Sequence, residues 1–265
     1  MHNPPAQEPS VQEQSFQDRD DSVLKTLGHL GMHALDDVYG TFSTVGDRPI
    51  HDPRRFEWAS VLENNWTVMR EELDEVLQHR EALPSFHDIA ADASTISQDD
   101  DWKTFFLYGY GVKAEENCAR CPGTTELIEQ VAGMTTAFFS ILSPGKHIPP
   151  HRGPYKGVLR YHLGLKVPAP AEKCRIRVAD EVAHWEEGES MVFDDTYNHE
   201  VWNETNEERA ILFLDVKRPM RQPMAAVNDL LLGLLRYTPV VQNARENQRQ
   251  WSKRLEQAET TTQPA

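Results

Sequence analysis

Apolar positions in the first half of the chain recur every three or four residues after residue 60. This interval places side chains on one face of an α-helix. Ser60 and Glu63 match an S-x-x-E capping box, so the pattern predicts one helix that begins at Ser60 and continues through "VLENNWTVMREELDEVLQHREAL". The apolar stripe predicted to face the core comprises Leu62, Trp66, Met69, Leu73, Val76 and Leu77.

The stretch that follows is mixed in pattern. Residues 88–102, "DIAADASTISQDDDW", are polar and predict a long loop of the kind that can cover an active site. The next residues, "WKTFFLYGYG", predict an aromatic strand. A second helix is predicted over "PGTTELIEQVA", with Pro122 near its start.

From residue 134 onward the pattern changes to short β-branched or aromatic runs separated by turns, several of them alternating with period two. Short antiparallel strands at this spacing predict a sandwich or jelly roll whose mouth is available for a site. The predicted strands lie in "TTAFFSIL", "GVLRYHLGLKV", "CRIRVA", "ESMVFDD", "HEVWN" and "RAILFLDV".

The pattern divides the chain into four parts. Residues 1–20 predict a disordered tail, and residues 21–133 a helical part that packs on the core. Residues 134–220 form the predicted β core, and residues 221–265 a C-terminal helical extension. We expect this extension to pack against the barrel or a second subunit.

Composition narrows the classes of function. The chain has 265 residues, of which 39% are hydrophobic, which indicates a folded globule. A formal charge of −15 argues against binding to a nucleic-acid backbone, although small anions are still compatible with it. No apolar run approaches the roughly 20 residues of a membrane span, and the polar start lacks the apolar core of a signal peptide. We therefore expect a soluble, cytoplasmic protein.

The chain has three cysteines, and two of them form the C-x-x-C motif "CARC" at Cys118 and Cys121. Such a pair is compatible with a redox couple or with half of a zinc site. Cys174 stands alone in a predicted strand, and a four-ligand zinc site needs a second pair. The sequence therefore favours structural thiols, and the role of Cys118 and Cys121 stays open.

Two histidines occupy positions next to predicted strands. His151 precedes "GVLRYHLGLKV" and His199 begins "HEVWN", so a jelly roll would bring both imidazoles to one mouth, where they suit a divalent transition metal. Arg209 begins "RAILFLDV", and a guanidinium in the same cavity would hold a carboxylate by two hydrogen bonds. The alternative is that these are hydrogen-bonded structural residues, since the chain has eleven histidines.

Residues 100 to 220 resemble the aspartyl/asparaginyl β-hydroxylase-like family of Fe(II)/2-oxoglutarate oxygenases. The resemblance is carried by "HRGPYKGVLRYHLGLKVP", "WEEGESMVFDDTYNHEVWN" and "ERAILFLDVKRP". It implies a double-stranded β-helix (a cupin-like jelly roll), iron ligation by His151 and His199, and O2 as a further cosubstrate. It also implies that Arg209 holds the distal carboxylate of 2-oxoglutarate. Further cosubstrate contacts are implied for Ser140, Arg160 and His162.

Gly153 is the main departure from a related pattern. The chain is also similar, more weakly, to bacterial lipid A 2-hydroxylases, which have an aspartate at this position. Glycine leaves an open coordination position that water can fill, as the resemblance to animal hydroxylases implies, or that chloride can fill, as in iron halogenases. The sequence favours hydroxylation, with a halogenase as the alternative and a binding module without catalysis as a third class.

Other residues have weaker claims to a site. Asp194 and Asp195 are candidates for backbone capping, for orienting a ligand or for replacing the missing carboxylate. Arg152 and Lys156 are candidates for an anionic substrate, and Trp102 for the cavity wall, whereas Trp185 is interpreted as packing near a turn. We expect a small-molecule or peptide-like substrate, with protein and lipid substrates open, and no nucleic-acid partner.

Overall fold

The computed structural model describes residues 36–90 and 96–262. The predicted tail at residues 1–20 lies outside the described residues, as do residues 91–95 of the predicted polar loop. A helical segment ends at residue 42, ahead of the first strand.

Eleven strands in the described residues form two antiparallel sheets. The larger sheet has the order β1-β9-β6-β11-β4-β2-β3, and the smaller has the order β5-β10-β7-β8. The strands are β1 (Ile50–His51), β2 (Trp102–Gly109), β3 (Val112–Lys113), β4 (Met134–Leu142), β5 (His147–His151), β6 (Val158–Lys166), β7 (Cys174–Val178), β8 (Glu181–His184), β9 (Ser190–Phe193), β10 (His199–Asn203) and β11 (Arg209–Lys217). Strands β4 to β11 cross back and forth between the sheets, which is the double-stranded β-helix that the sequence predicted.

The larger sheet is buried on both faces, which explains its long apolar strands. In β11, Leu212 and Leu214 belong to the core shared with the N-terminal helices, whereas Ile211 and Phe213 belong to the core between the two sheets. This alternation follows from the period of two along a strand. The inner faces of the two sheets enclose the space in which the candidate site lies.

In the described part of the chain, seven further α-helices flank the barrel, so the fold is mainly β with helical flanks. Their bounds are α1 (Ala59–Asn64), α2 (Trp66–Leu77), α3 (Phe86–Ile89), α4 (Glu115–Arg120), α5 (Pro122–Glu129), α6 (Met224–Leu235) and α7 (Pro239–Thr262). The predicted stripe packs into the core, with Leu62, Met69, Leu73 and Val76 buried and Trp66 and Leu77 partly buried. Within the two described ranges, no helix has both the length and the hydrophobicity that a membrane span requires.

The single helix predicted to begin at Ser60 is wrong in its start and its continuity. Helix α1 has no side-chain cap, and the Ser60 hydroxyl donates to the Glu57 carbonyl instead. The helix is interrupted at Asn65, whose side-chain amide donates to the Val61 carbonyl while its backbone takes φ −120°. Local side-chain hydrogen bonds of this kind compete with the helical pattern.

The two C-terminal helices pack against the barrel. Helix α6 is anchored by Asn228, whose amide donates to the Gly157 carbonyl at 2.8 Å and accepts from the Tyr155 hydroxyl at 2.5 Å. Helix α7 is anchored by Ser252, whose hydroxyl donates to the Asn117 side chain at 3.1 Å. Both helices of this C-terminal part therefore have polar contacts to the rest of the chain.

Candidate metal centre and anion pocket

The β-ladder between β5 and β10 brings His151 and His199 together. The two residues are direct partners in the register of this strand pair, and their ring centroids lie 4.1 Å apart. His199 is buried and His151 is half-buried. The structure thus places two imidazoles, distant in sequence, side by side at one mouth of the barrel.

Hydrogen bonds to backbone carbonyls orient both rings. Nδ1 of His151 lies 2.8 Å from the Pro149 carbonyl oxygen, and Nδ1 of His199 lies 3.0 Å from that of Tyr197. A carbonyl only accepts, so each Nδ1 carries the proton and each Nε2 keeps its lone pair. This is the arrangement in which metal-binding histidines are commonly held.

Burial keeps both histidines neutral. Desolvation lowers the pKa of His199 to about 3, with a further contribution from the neighbouring His151. Desolvation also lowers the pKa of His151. Since a metal binds the unprotonated ring, these directions favour a metal over protons at neutral pH.

The carboxylate of Asp195 takes the space beside Gly153. A Cβ atom added at Gly153 would lie 1.8 Å from Oδ2 and 2.5 Å from Oδ1 of Asp195. The backbone N–H of Gly153 also donates to the Asp195 carbonyl at 2.7 Å. The position that an aspartate side chain would use at residue 153 is therefore occupied by a carboxylate from the other side of the mouth.

Asp195 belongs to a short chain of charges. Its Oδ2 pairs with Arg160 at 2.9 Å, and Arg160 also pairs with Asp215 at 3.4 Å. Burial raises the pKa of Asp195 to about 6, against the opposing effect of Arg160. Among the described residues, no group of three or more His, Cys, Asp or Glu side chains has the spacing of a metal site. The geometry therefore supplies two candidate metal ligands, the paired histidines, and a nearby carboxylate.

A second cluster lies deeper between the sheets, around Arg209. This guanidinium is 2% exposed, and its Nε and Nη1 atoms have no hydrogen-bond partner among the described residues. It lies 4.6 Å from the ring centroid of Trp185, whose indole N–H is also without a partner there. Burial lowers the pKa of Arg209 to about 10, so the side chain is still a cation at neutral pH.

His162 completes this deep cluster. Both of its ring nitrogens are buried without a hydrogen-bond partner in the described part of the chain. Its ring lies 4.9 Å from that of Phe193 and 5.0 Å from that of Phe213, and burial lowers its pKa well below the usual range. Ser140 lies on β4 and accepts a hydrogen bond of 3.0 Å from Trp102 Nε1. Buried donors without partners are rare, and several that converge fit an anionic ligand such as a carboxylate.

The other predicted side chains are engaged in the surrounding loops. Arg152 donates to the Thr196 carbonyl at 2.7 Å. Lys156 is buried and pairs with Asp47 at 2.7 Å and with Asp194 at 3.9 Å. Asp194 also pairs with Arg218 and so fixes the loop that carries His199. Lys156 and Arg218 are therefore paired with carboxylates within the fold.

A pocket of about 370 Å³ opens at the end of the larger sheet, between α3 and α7. Its apolar wall includes Phe86, Ile89, Phe106, Phe138 and Phe213. Arg160 and Asp215 line the same pocket, so it adjoins the charges next to the histidine pair. Side chains of α7 that line it include Arg245, Arg249 and Lys253.

Trp185 is the member of the deep cluster that sequence reasoning did not identify. It was interpreted as packing near a turn, and "AHWEEG" carries no signal that its indole would lie against Arg209. The three cysteines are buried free thiols, and burial raises the pKa of Cys118 and of Cys174. No disulfide joins Cys118 to Cys121.

Comparisons with known proteins agree on one family. A family model described as aspartyl/asparaginyl beta-hydroxylase matches residues 63–219. An ornithine lipid ester-linked acyl 2-hydroxylase of Rhizobium tropici is 46% identical over 214 residues, which cover 81% of this chain and 76% of that protein. The aspartyl/asparaginyl beta-hydroxylase of Mus musculus is 36% identical over 172 residues, which cover 63% of this chain.

The chain spans only 22% of the length of the mouse protein. A prolyl-4-hydroxylase structure from Pseudomonas putida covers 61% of this chain and 98% of its own, with 17% identity and a TM-score of 0.38. The family model covers more than half of the chain, and the Rhizobium relative aligns over three quarters of its own length. The resemblance seen in the sequence is thereby confirmed, and the chain belongs to the aspartyl/asparaginyl beta-hydroxylase family.

Proposed function

We propose that this protein is an Fe(II)- and 2-oxoglutarate-dependent hydroxylase that acts on an acyl chain of a polar lipid. The observation that carries the proposal is the convergence of two oriented, neutral histidines with a buried cluster of unpaired hydrogen-bond donors. The first set fits a divalent metal, and the second fits a small dicarboxylate.

His151 and His199 would hold the iron through their Nε2 atoms, because each Nδ1 is used by a backbone carbonyl. Arg209 would bind the distal carboxylate of 2-oxoglutarate with its unpaired N–H groups. His162 and Ser140 would contact the same molecule. When bound, iron and 2-oxoglutarate supply the activation of O2 that oxidises an aliphatic C–H bond.

Arg160, for which the resemblance implies a cosubstrate contact, would also position a neighbouring carboxylate. Its guanidinium is already paired with Asp195 and Asp215, so it would hold the Asp195 carboxylate next to Gly153. The Asp195 carboxylate therefore places negative charge beside the two histidines, although it belongs to residue 195 and not to residue 153. A group in that place suits hydrogen bonding to a water more than contact with a halide anion, so hydroxylation is the favoured outcome.

A lipid acyl chain is proposed as substrate for two reasons. The Rhizobium relative at 46% identity is described as an ornithine lipid ester-linked acyl 2-hydroxylase. The pocket beside Arg160 also has an aromatic and aliphatic wall, which suits a hydrocarbon chain. Its rim carries Arg249 and Lys253 together with Glu115 and Glu116, and both signs of charge suit an amino-acid headgroup.

The test uses the full chain with Fe(II), 2-oxoglutarate and a diacyl ornithine lipid dispersed in detergent. Oxygen is admitted to an anaerobic mixture, and mass spectrometry follows succinate and each acyl chain separately. We expect one added oxygen atom on the ester-linked chain, matched by succinate, and less product from a phosphatidylcholine with the same acyl chains. Succinate formation without dependence on iron, or the absence of oxygenated lipid, would contradict the proposal.

Two further arms separate the alternatives. A peptide substrate with aspartate and asparagine tests the activity named for the mouse relative. Turnover in bromide tests halogenation, because a brominated product shows an isotope doublet whatever its structure. We expect no doublet, and a dominant doublet would establish the halogenase instead.

A further inference from the structure

Helix α6 carries an exposed apolar stripe on the side opposite its anchor. Its members are spaced at three, four and three residues, which places them on one face of the helix and the turn that follows. We call the following four residues the α6 stripe: Val227, Leu230, Leu234 and Tyr237, with 38%, 63%, 55% and 68% of their surface exposed. Contiguous exposed apolar side chains of this kind mark interaction surfaces.

The segment around the stripe is basic in an acidic protein. Residues 221–254 contain six Lys and Arg against two Asp and Glu, a local charge of +4 in a chain of formal charge −15. Arg245, Arg249 and Lys253 follow each other at four-residue intervals along α7. Among the side chains that the structure describes, no carboxylate forms an ion pair with Arg245, Arg249 or Lys253. This positive field is available to an external anionic surface.

The stripe and the basic residues lie at the end of the barrel where the pocket opens. Asp215 lines the pocket, and two residues further along β11 Lys217 pairs with Asp229 of α6 at 2.7 Å. Helix α7 begins two residues after Tyr237, and its residues Ala244, Arg245, Gln248, Arg249 and Lys253 line the pocket. The basic side of α7 therefore borders the pocket, and a short turn joins α7 to α6, which carries the apolar stripe.

We propose that the α6 stripe and the basic side of α7 dock on an anionic membrane surface, so that the pocket mouth faces the lipid. An exposed apolar helix face combined with basic residues is the pattern by which helices lie in a bilayer interface. A second copy of the chain is a weaker partner, because pairing the same face twice would bring its positive charges together. The proposal goes beyond the proposed function, which fixes the reaction and not where the protein meets its substrate.

The test is vesicle flotation of the full chain with phosphatidylcholine vesicles, with and without phosphatidylglycerol. The test variant is Leu230→Ser/Leu234→Ser, and the matched control is Val182→Ser, an exposed valine on β8 with 55% of its surface exposed. We expect the wild type to float with the anionic vesicles and to be released by salt. The double variant should bind about tenfold less or weaker still, whereas the control binds like the wild type.

Each outcome decides the question separately from catalysis. Unchanged flotation of the double variant, or equal binding to neutral and anionic vesicles, would overturn the proposal. If the wild type were a dimer, the double variant a monomer, and neither protein floated with vesicles, the stripe would be assigned to a subunit interface. The double variant should still hydroxylate detergent-dispersed lipid. If the wild type itself showed no hydroxylation of dispersed lipid, this result would count against the proposed function and not against membrane docking.

Discussion

The two polar clusters inside the barrel differ in how their charges are balanced. Next to the histidine pair, Arg160 is neutralised by Asp195 and Asp215 within the fold. Around Arg209 no such carboxylate is present among the described residues, and Nε and Nη1 of Arg209 and the indole N–H of Trp185 have no acceptor there. The charge of Arg160 is balanced without a ligand, although Arg160 Nε, Asp195 Oδ1 and Asp215 Oδ1 have no hydrogen-bond partner among the described residues. The charge of Arg209 is balanced only when an anion is bound.

This difference indicates which residues serve the fold and which serve a ligand. A buried ion without a partner costs several kcal/mol, so a protein retains one where a ligand compensates for it. A buried ion that is already paired does not require a ligand. Here the paired Arg160 fixes the position of the Asp195 carboxylate. The predictions below change one cluster at a time.

The largest effect is expected when a histidine of the pair is removed. His199→Ala and His151→Ala should each weaken Fe(II) binding by more than about 100-fold, since loss of an outer-shell partner alone can cost that much. Anaerobic titration with Fe(II) measures the affinity. His184→Ala, which removes an exposed histidine on β8, is the control. Undiminished iron binding by both single variants would rule out the two-histidine site.

Removal of the Arg209 charge should affect stability differently with and without 2-oxoglutarate. Arg209→Met removes an unpaired buried cation, so the free energy of unfolding without 2-oxoglutarate should stay the same or rise. The stabilisation that 2-oxoglutarate gives the wild type should disappear. Thermal unfolding with and without 2-oxoglutarate measures both effects. A loss of stability in the ligand-free variant would show that Arg209 serves the fold.

Replacement by lysine gives a finer test of the same residue. Arg209→Lys keeps the charge but loses the paired donors, so 2-oxoglutarate should bind about 10- to 100-fold more weakly. Calorimetric titration measures the affinity in the presence of the metal. Arg175→Lys is the matched control, because Arg175 lies on β7 and pairs with the exposed Glu204. Equal losses in the two variants would remove the special role of Arg209.

The barrel was predictable from the sequence because its longer strands carry their own signal. Strands β4, β6 and β11 are nine residues long and consist mostly of apolar, aromatic and β-branched residues, a composition typical of strands. Strands β5 and β8 were not identified. The former is "HIPPH" and the latter has three exposed residues of four, so their pairing depends on neighbours that the local pattern does not show.

The site was predictable to a similar extent and for a related reason. The approach of His151 to His199 was predicted because a jelly roll would bring both strand ends to one mouth, and the register of β5 and β10 pairs the two residues directly. The roles predicted for Ser140 and His162 rest on the resemblance alone. The approach of Asp195 to Gly153 depends on the course of two loops, which no periodicity records. Trp185 was missed because its contact with Arg209 crosses between the two sheets.

The cluster around Arg160 is tested by moving its carboxylate from residue 195 to residue 153. Gly153→Asp alone should cost about 1–3 kcal/mol in unfolding free energy, because its Cβ would meet the Asp195 carboxylate. Adding Asp195→Ala should recover most of that loss, and the two changes should be strongly non-additive. Urea unfolding of the four proteins in the cycle measures the coupling. Gly233→Ala is the control, since a Cβ at Gly233 meets nothing within 4 Å.

The smallest effect is expected at His51. This residue allows a single buried group without a hydrogen-bond partner to be compared with the cluster of such groups around Arg209. Like His162, His51 is buried, and neither of its ring nitrogens has a hydrogen bond of good geometry in the described part of the chain, although the Val45 backbone lies near the ring. It lies beside the Arg218 and Asp194 pair. Desolvation, followed by the charge of Arg218, lowers its pKa from 6.5 to about 4. The unfolded chain therefore binds the proton first, and as pH falls through this window about 2–3 kcal/mol of stability is lost at most.

His51→Gln should remove that part of the loss, so the variant should be less sensitive than the wild type to acidification from pH 6.5 to about 4. His184→Gln, at an exposed histidine, should leave the pH dependence unchanged. Urea unfolding of the iron-free protein across this range measures the difference, and 2-oxoglutarate should not alter it. If 2-oxoglutarate changed the contribution of His51 as it changes that of Arg209, the unpartnered histidine would belong to the anion pocket.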